Sequence, residues 1–197
     1  MEEFMDQLFS EIRYAHDKFF VYTYLYNRFV DFPQTQEISS SFFAISMDSL
    51  QNDAIIRTAK LFDKGHKSYG TLYKLLNLME AHLDQFGIVK DEVKDKLASH
   101  KIYYQNQEVL INNLLIWRDK HFAHPDKKYF LDKNRINLAE HAPMLVGDLP
   151  KLLKTSVEIL NFYSYKLFEI TYFFKDFQIE HDVDKLFMVF NQHLENN

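Results

Sequence analysis

Long stretches of this chain repeat their apolar residues at helical spacing, and no segment alternates them as a half-buried strand would. The first run lies between Glu2 and Val30 and carries Phe4, Leu8, Phe9, Ile12, Phe19, Phe20, Leu25 and Phe29. Pro33 forbids continuation, so this helix should stop at "DFP". Apolar groups lie nearly all round its second half, where Tyr22, Tyr24 and Tyr26 join the phenylalanines. Such a helix is either central or pressed against another subunit.

The serines at 39–41 offer N-cap material for a second helix through Phe42, Ile45, Leu50, Ile55 and Leu61, ending near Asp63. "GHKSYG" predicts a turn, and a third helix follows from Thr71 through Leu72, Leu75, Leu76 and Met79 to about Gly87. A fourth begins after Asp91 and ends before Pro125, with a break expected near His100. Residues 125–149 read as one long polar, irregular segment, a length that in compact domains often serves function. Asp148 as cap and Pro150 in the first turn restart a helix that should run to about Phe174. A short last helix carries Leu186, Phe187, Val189, Phe190 and Leu194. These elements predict an all-α, single-domain bundle of five to six helices over 1–197. Its parts are an aromatic-rich N-terminal helix (1–33), a core (about 40–175) and an acidic C-terminal helix (176–197).

Composition narrows this picture. With 47% hydrophobic and 16% aromatic residues there is ample material for a core, and four glycines with four prolines are too few for a turn-rich β fold. The absence of cysteine excludes disulfides and thiolate zinc sites. The start "MEEFMDQLFS" is acidic where a signal peptide is basic, and no uncharged apolar run reaches the roughly 20 residues of a membrane span. A cytoplasmic protein with no membrane partner is therefore expected. The net charge of −5 argues against a broad basic face that coats nucleic acid, so contact with a polyanion must be local. Charge is uneven: between Arg118 and Arg135 six cations meet three acids, whereas from Asp176 onward one lysine meets five acids.

The chemistry concentrates in "RDKHFAHPD", residues 118–126. On a helical wheel with Leu110 at zero, Trp117, Leu114, Ile111, Phe122 and Leu115 fill an arc from about −20° to +140°. Arg118 falls at about 80° and His121 at about 20°, inside that arc, and His124 at about −40°, on its rim. A guanidinium among apolar groups needs an anion, which points to a wet cleft, an internal acid or a ligand. Asp53, Glu158 and Glu169 are candidate internal partners. Arg118 and His124 stand about 9 Å apart along the axis, and their long side chains can close onto one phosphodiester. Arginine offers a fork of donors matched to phosphate oxygens, and histidine moves protons near neutral pH. Together they suit cleavage of RNA without a metal, the 2′-hydroxyl attacking the adjacent phosphorus.

At these residues the sequence resembles the HEPN superfamily, whose mark is arginine, four to six residues, then histidine. "RDKHFAHPD" is similar to its abortive-infection U branch, and "IIRTAKLFDK" (55–64) is a second, weaker match to that branch. The resemblance covers about residues 40–175 and leaves the first helix without a counterpart. It implies a HEPN-like helical homodimer with two motifs facing one cleft, and a metal-independent endoribonuclease of toxin or antiphage-defence type. RNA is the implied substrate, no cofactor is needed, and an antitoxin or other regulatory protein is an implied partner. By carry-over, Arg118 stabilises the scissile phosphate, His124 is general base or acid, and Asp119 holds one of them in place. Lys120 and His121 are supporting phosphate contacts. Many HEPN domains are inactive binding modules, so an RNA- or protein-binding role is the alternative.

Two other readings of the same residues rank lower. His121, His124 and Asp126 could form a metal site, but zinc pairs on a helix favour i, i+4 spacing and no third helical ligand is evident. The aromatic-rich helices could form a base-stacking platform, yet residues at helical spacing more often serve packing.

Overall fold

A computed structural model of the chain describes residues 1–37, 40–65, 68–119 and 138–195. Its α-helices are α1 (Glu2–Asp31), α2 (Ser40–Leu61), α3 (Leu72–Ala81), α4 (Lys90–Asn106), α5 (Glu108–Ile116), α6 (Leu138–His141), α7 (Asp148–Phe168) and α8 (Asp176–Glu195). Two 3-10 turns, Pro33–Glu37 and Leu83–Val89, join α1 to α2 and α3 to α4. No strand occurs among the described residues, and none of their helices is long and apolar enough to cross a membrane.

The first helix is central, the first of the two alternatives its sequence left open: α1 packs along α2, α7 and α8. Its ring of apolar residues is divided, with Leu25 and Phe29 buried and Tyr26 and Val30 exposed. The α1–α2 pair spans two apolar clusters. The larger joins Met5, Leu8 and Ile12 of α1 to Ala59 and Leu61 of α2, Leu75 and Met79 of α3, Leu97 of α4, Leu114 of α5 and Leu153 and Leu160 of α7. The smaller, at the far end, holds Leu25, Phe29, Phe43, Val183 and Phe187.

Several boundaries depart from the sequence reading. The third helix stops at Ala81, and the chain reaches α4 through a 3-10 turn in which Gly87 takes φ 54°, a left-handed conformation that glycine adopts readily. The expected break near His100 lies instead at Gln107, between α4 and α5. His100 stays helical because its ring has a partner on α7, with Nδ1 2.9 Å from the Tyr163 hydroxyl. At the start of α7 the cap position belongs to Gly147, while Asp148 turns back to accept the Leu145 amide at 2.7 Å.

The last departure is the largest. α7 ends at Phe168, six residues before the expected Phe174, and Glu169 turns left-handed at φ 58°. Side chains of α7 take over the backbone bonds that a helix would have made. Asn161 donates to the Tyr172 carbonyl at 2.9 Å and accepts from its amide at 2.8 Å. Ser164 donates to the Ile170 carbonyl at 2.9 Å. The irregular segment 169–175 then alternates more and less exposed residues. Tyr172 stacks on Phe9 at 4.6 Å and Phe174 on His16 at 3.6 Å, while Phe173 between them is exposed. These rings hold α8 to α1, helped by Asp176, whose Oδ1 lies 3.6 Å from His16 Nδ1.

Candidate functional site

The site is assembled where α2 ends and α5 ends, so each terminus has to be explained. Both "KLFD" and "WRD" are the last turns of their helices, where backbone carbonyls lose their partners. Tyr104 of α4 donates its buried hydroxyl to the Phe62 carbonyl at 2.6 Å, closing the end of α2. Leu61 and Phe62 are buried in the larger cluster, and Lys64 reaches Glu108 at 3.3 Å, the first residue of α5. The turn after α2 is thereby pinned against α4 and α5, which places Asp63 beside the end of α5.

α5 does not stop cleanly. Residues 117–119 continue as a wider π-type turn, a form that recurs at functional sites. The Trp117 indole donates to the Ala142 carbonyl at 2.8 Å, and Asn113 donates to the Pro143 carbonyl at 2.9 Å. These bonds tether the end of α5 to the segment before α7 and fix the direction of the next side chain, Arg118.

Arg118 is 18% exposed and meets two carboxylates. Its Nη1 donates to Asp63 at 2.9 Å and its Nε to Asp119 at 2.7 Å. Its partners within the chain are therefore the adjacent Asp119 and, from α2, Asp63, not Asp53, Glu158 or Glu169. Asp53 is committed to Arg57 at 3.0 Å and Lys18 at 3.5 Å, and Glu158, on α7, and Glu169, just past its end, are exposed. Burial pushes the Asp63 carboxyl up, but hydrogen bonds from the Gly65 amide, Arg118 and Ser68 outweigh it and leave the acid below its ordinary range. Hydrogen bonding to Asp119, opposed by burial and aided by Asp63, raises Arg118, so Arg118 and Asp63 meet as a charged pair near neutral pH.

An arginine carries five N–H donors. Asp63 and Asp119 engage two of them, which leaves donors for an incoming oxyanion on a group whose orientation is already set. Arg118 also lines a cleft of about 570 Å³, walled by Glu11 of α1, Lys60 and Asp63 from the end of α2, and Ser68, Tyr69, Gly70 and Thr71 before α3. The two segments singled out in the sequence thus meet, through Asp63 and Arg118.

The AbiU2 model of the HEPN group matches residues 1–186. The chain belongs to the AbiU2 family of HEPN proteins. The match includes the first helix, which the sequence resemblance had left outside. No curated protein and no solved structure matches the chain significantly. Of the candidate residues, this AbiU2 chain brings Arg118 and Asp119 together; Lys120, His121 and His124 lie outside the described residues, as does Asp126 of the alternative metal set.

Asp63, Lys60 and Tyr69 were not candidates from the sequence. Asp63 stands inside the quoted segment "IIRTAKLFDK", yet only the packing of α2 against α5 gives it a partner. Among the described residues, His16, Asp17 and Asp176 offer three ligand atoms within 4.8 Å of one another, but they lie where α8 begins, joining it to α1.

Proposed function

We propose that this AbiU2 chain is a metal-independent endoribonuclease of the abortive-infection type, acting as a homodimer on RNA. The observation that carries the reading is Arg118, fixed by Asp63 and Asp119 at the edge of a cleft and keeping donors for a third anion. In the proposed reaction His124 takes the 2′-hydroxyl proton, the 2′-oxygen bonds to the adjacent phosphorus, and the bond to the 5′-oxygen breaks. The departing 5′-oxygen takes a proton from water, and the products carry a 2′,3′-cyclic phosphate and a 5′-hydroxyl. Arg118 steadies the extra negative charge that gathers on the phosphoryl oxygens between those two events. Lys120 and His121 hold neighbouring phosphates, and a second copy of the chain completes the groove. An antitoxin or other regulatory protein would act by covering it.

The test is cleavage of RNA in EDTA by wild type, Arg118→Ala and His124→Ala, with sedimentation to give the oligomeric state. Each substitution should lower kcat/KM by about 10²–10³, the scale of losing one preorganised donor at a developing charge, with the melting temperature little changed. Variants that cut as fast as wild type sink the proposal. RNA binding without turnover, falling steeply with salt, would favour a non-catalytic module instead.

A further inference from the structure

The cleft at Arg118 is larger than one phosphate requires, and its wall carries an aromatic ring left in water. Tyr69 is 67% exposed although its neighbours Thr71 and Leu72 are buried. Its backbone is fixed: the Tyr69 carbonyl accepts from the Thr71 amide at 3.0 Å, and Thr71 caps α3 by accepting the Lys74 amide at 3.1 Å. Its ring is set by Phe4, edge-on at 5.5 Å, and by the Lys74 ammonium 5.6 Å from the ring centre. A large aromatic held this firmly and still open to solvent is a surface waiting for a flat partner.

Its surroundings define that partner. Lys60 and Arg118 line the same cleft, and the two acids there are already engaged, Glu11 by Arg57 at 3.1 Å and Asp63 by Arg118 at 2.9 Å. The cleft therefore offers cations to a phosphate and a ring to a base. Its volume of about 570 Å³ falls within the range that holds small organic ligands, roughly 300–1,000 Å³. Other exposed aromatic side chains, such as Phe173 and Phe177, are not on the wall of this cleft.

We propose that the cleft seats one unpaired nucleotide of the substrate, its base stacked on Tyr69 and its phosphate between Lys60 and Arg118, so that the site accepts single-stranded RNA and rejects the duplex. The selectivity follows from geometry, because a paired base shows only its edges while an unpaired base can offer its face. This rests on the ribonuclease reading for the identity of the ligand but not for its binding, which permits a test that separates the two.

The full chain is titrated with a fluorescein-labelled 2′-O-methyl RNA decamer, which lacks the attacking hydroxyl and is not cut, either single-stranded or annealed to its complement. Wild type should bind the single strand at least about tenfold more tightly than the duplex. Tyr69→Ala should lose about tenfold or more of that affinity, and Tyr69→Phe, which keeps the ring, less than about twofold. Equal affinity for single strand and duplex, or a Tyr69→Ala variant that melts and binds like wild type, overturns the proposal. Tyr69-dependent binding by a wild type that cuts no cleavable RNA would sustain the subsite and remove the nuclease. Cleavage lost in Arg118→Ala, with Tyr69→Ala binding normally, would remove the subsite alone.

Discussion

The two ends of the α1–α2 pair are held together in different ways. At the end that carries Arg118, aliphatic side chains and rings such as Phe62 and Tyr163 pack from α1, α2, α3, α4, α5 and α7, and buried polar bonds such as Tyr104 to Phe62 lock the helix termini. At the other end, Phe29 sits 4.8 Å from Phe43 and 5.2 Å from Phe187, and the polar ties are partly exposed, with Arg28 and Tyr24 both on Asp184. A close-packed core approached from six helices fixes directions to within a rotamer, whereas the smaller cluster is held from three helices only. Chemistry that depends on where Arg118 points belongs at the first end.

Breaking the first end should have the largest effect. Leu114 is fully buried one turn before Arg118, and Leu114→Ala should cost about 3–5 kcal/mol in chemical denaturation and abolish cleavage with it. Phe187→Ala, in the small cluster, should instead release α8: its amides should lose hydrogen-exchange protection while α5 and the cleavage rate stay as they were. Equal loss of protection at both ends would mean that the two clusters form one cooperative unit.

Next in size is Asn161, the residue that ends α7 where the sequence did not foretell it. Asn161→Ala leaves the Tyr172 amide and carbonyl without their partners and should cost about 2 kcal/mol, loosening 169–175 before anything else. Its Leu counterpart should do no better, because the loss is one of hydrogen bonds and not of volume. A melting temperature unchanged in both variants would show that water replaces the clamp.

What could be read from the sequence, and what could not, follows the same division. Apolar periodicity located the helices, since burying one stripe is a local demand that each helix meets in its own residues. The end of α7 was hidden because 170–174 are apolar enough to continue a helix, and a single side chain nine residues or more away decides otherwise. Of the site, Arg118 and Asp119 were legible as an arginine on a dry face followed by an acid. Asp63 was not, because its role depends on the packing of two helix ends 55 residues apart in the chain.

A smaller effect should come from His100, which lies against Tyr163 in the interior of the larger end. Burial first, then the charge of Lys96, pushes the imidazole down from 6.5 to about 4, and burial raises Tyr163, so a neutral ring meets a protonated hydroxyl at 2.9 Å. The folded chain binds fewer protons at His100 than the unfolded chain, so this contribution is whole above about pH 6.5 and is lost as pH falls through about 4. Solvent reaches part of the ring, which trims the loss to about 1 kcal/mol, or about 2–4 °C in Tm. His100→Gln should flatten the slope of Tm between those two values; parallel slopes for the two proteins would assign the acid sensitivity elsewhere.

The smallest effect is expected at the far end, at Asp184. Its carboxylate takes Arg28 at 2.5 Å and the Tyr24 hydroxyl at 3.1 Å, yet its side chain is 40% exposed. Water competes for both bonds, and salt screens the charge, so Asp184→Asn should cost less than about 1 kcal/mol and the difference from wild type should shrink as salt is raised. The same change at the other end, Asp63→Asn, removes one of two acids that aim Arg118 and should be felt in kcat far more than in Tm. If Asp184→Asn instead slowed cleavage as much as Asp63→Asn, the two ends would be coupled through the length of α1, and precise aim would no longer be a property of the packed end alone.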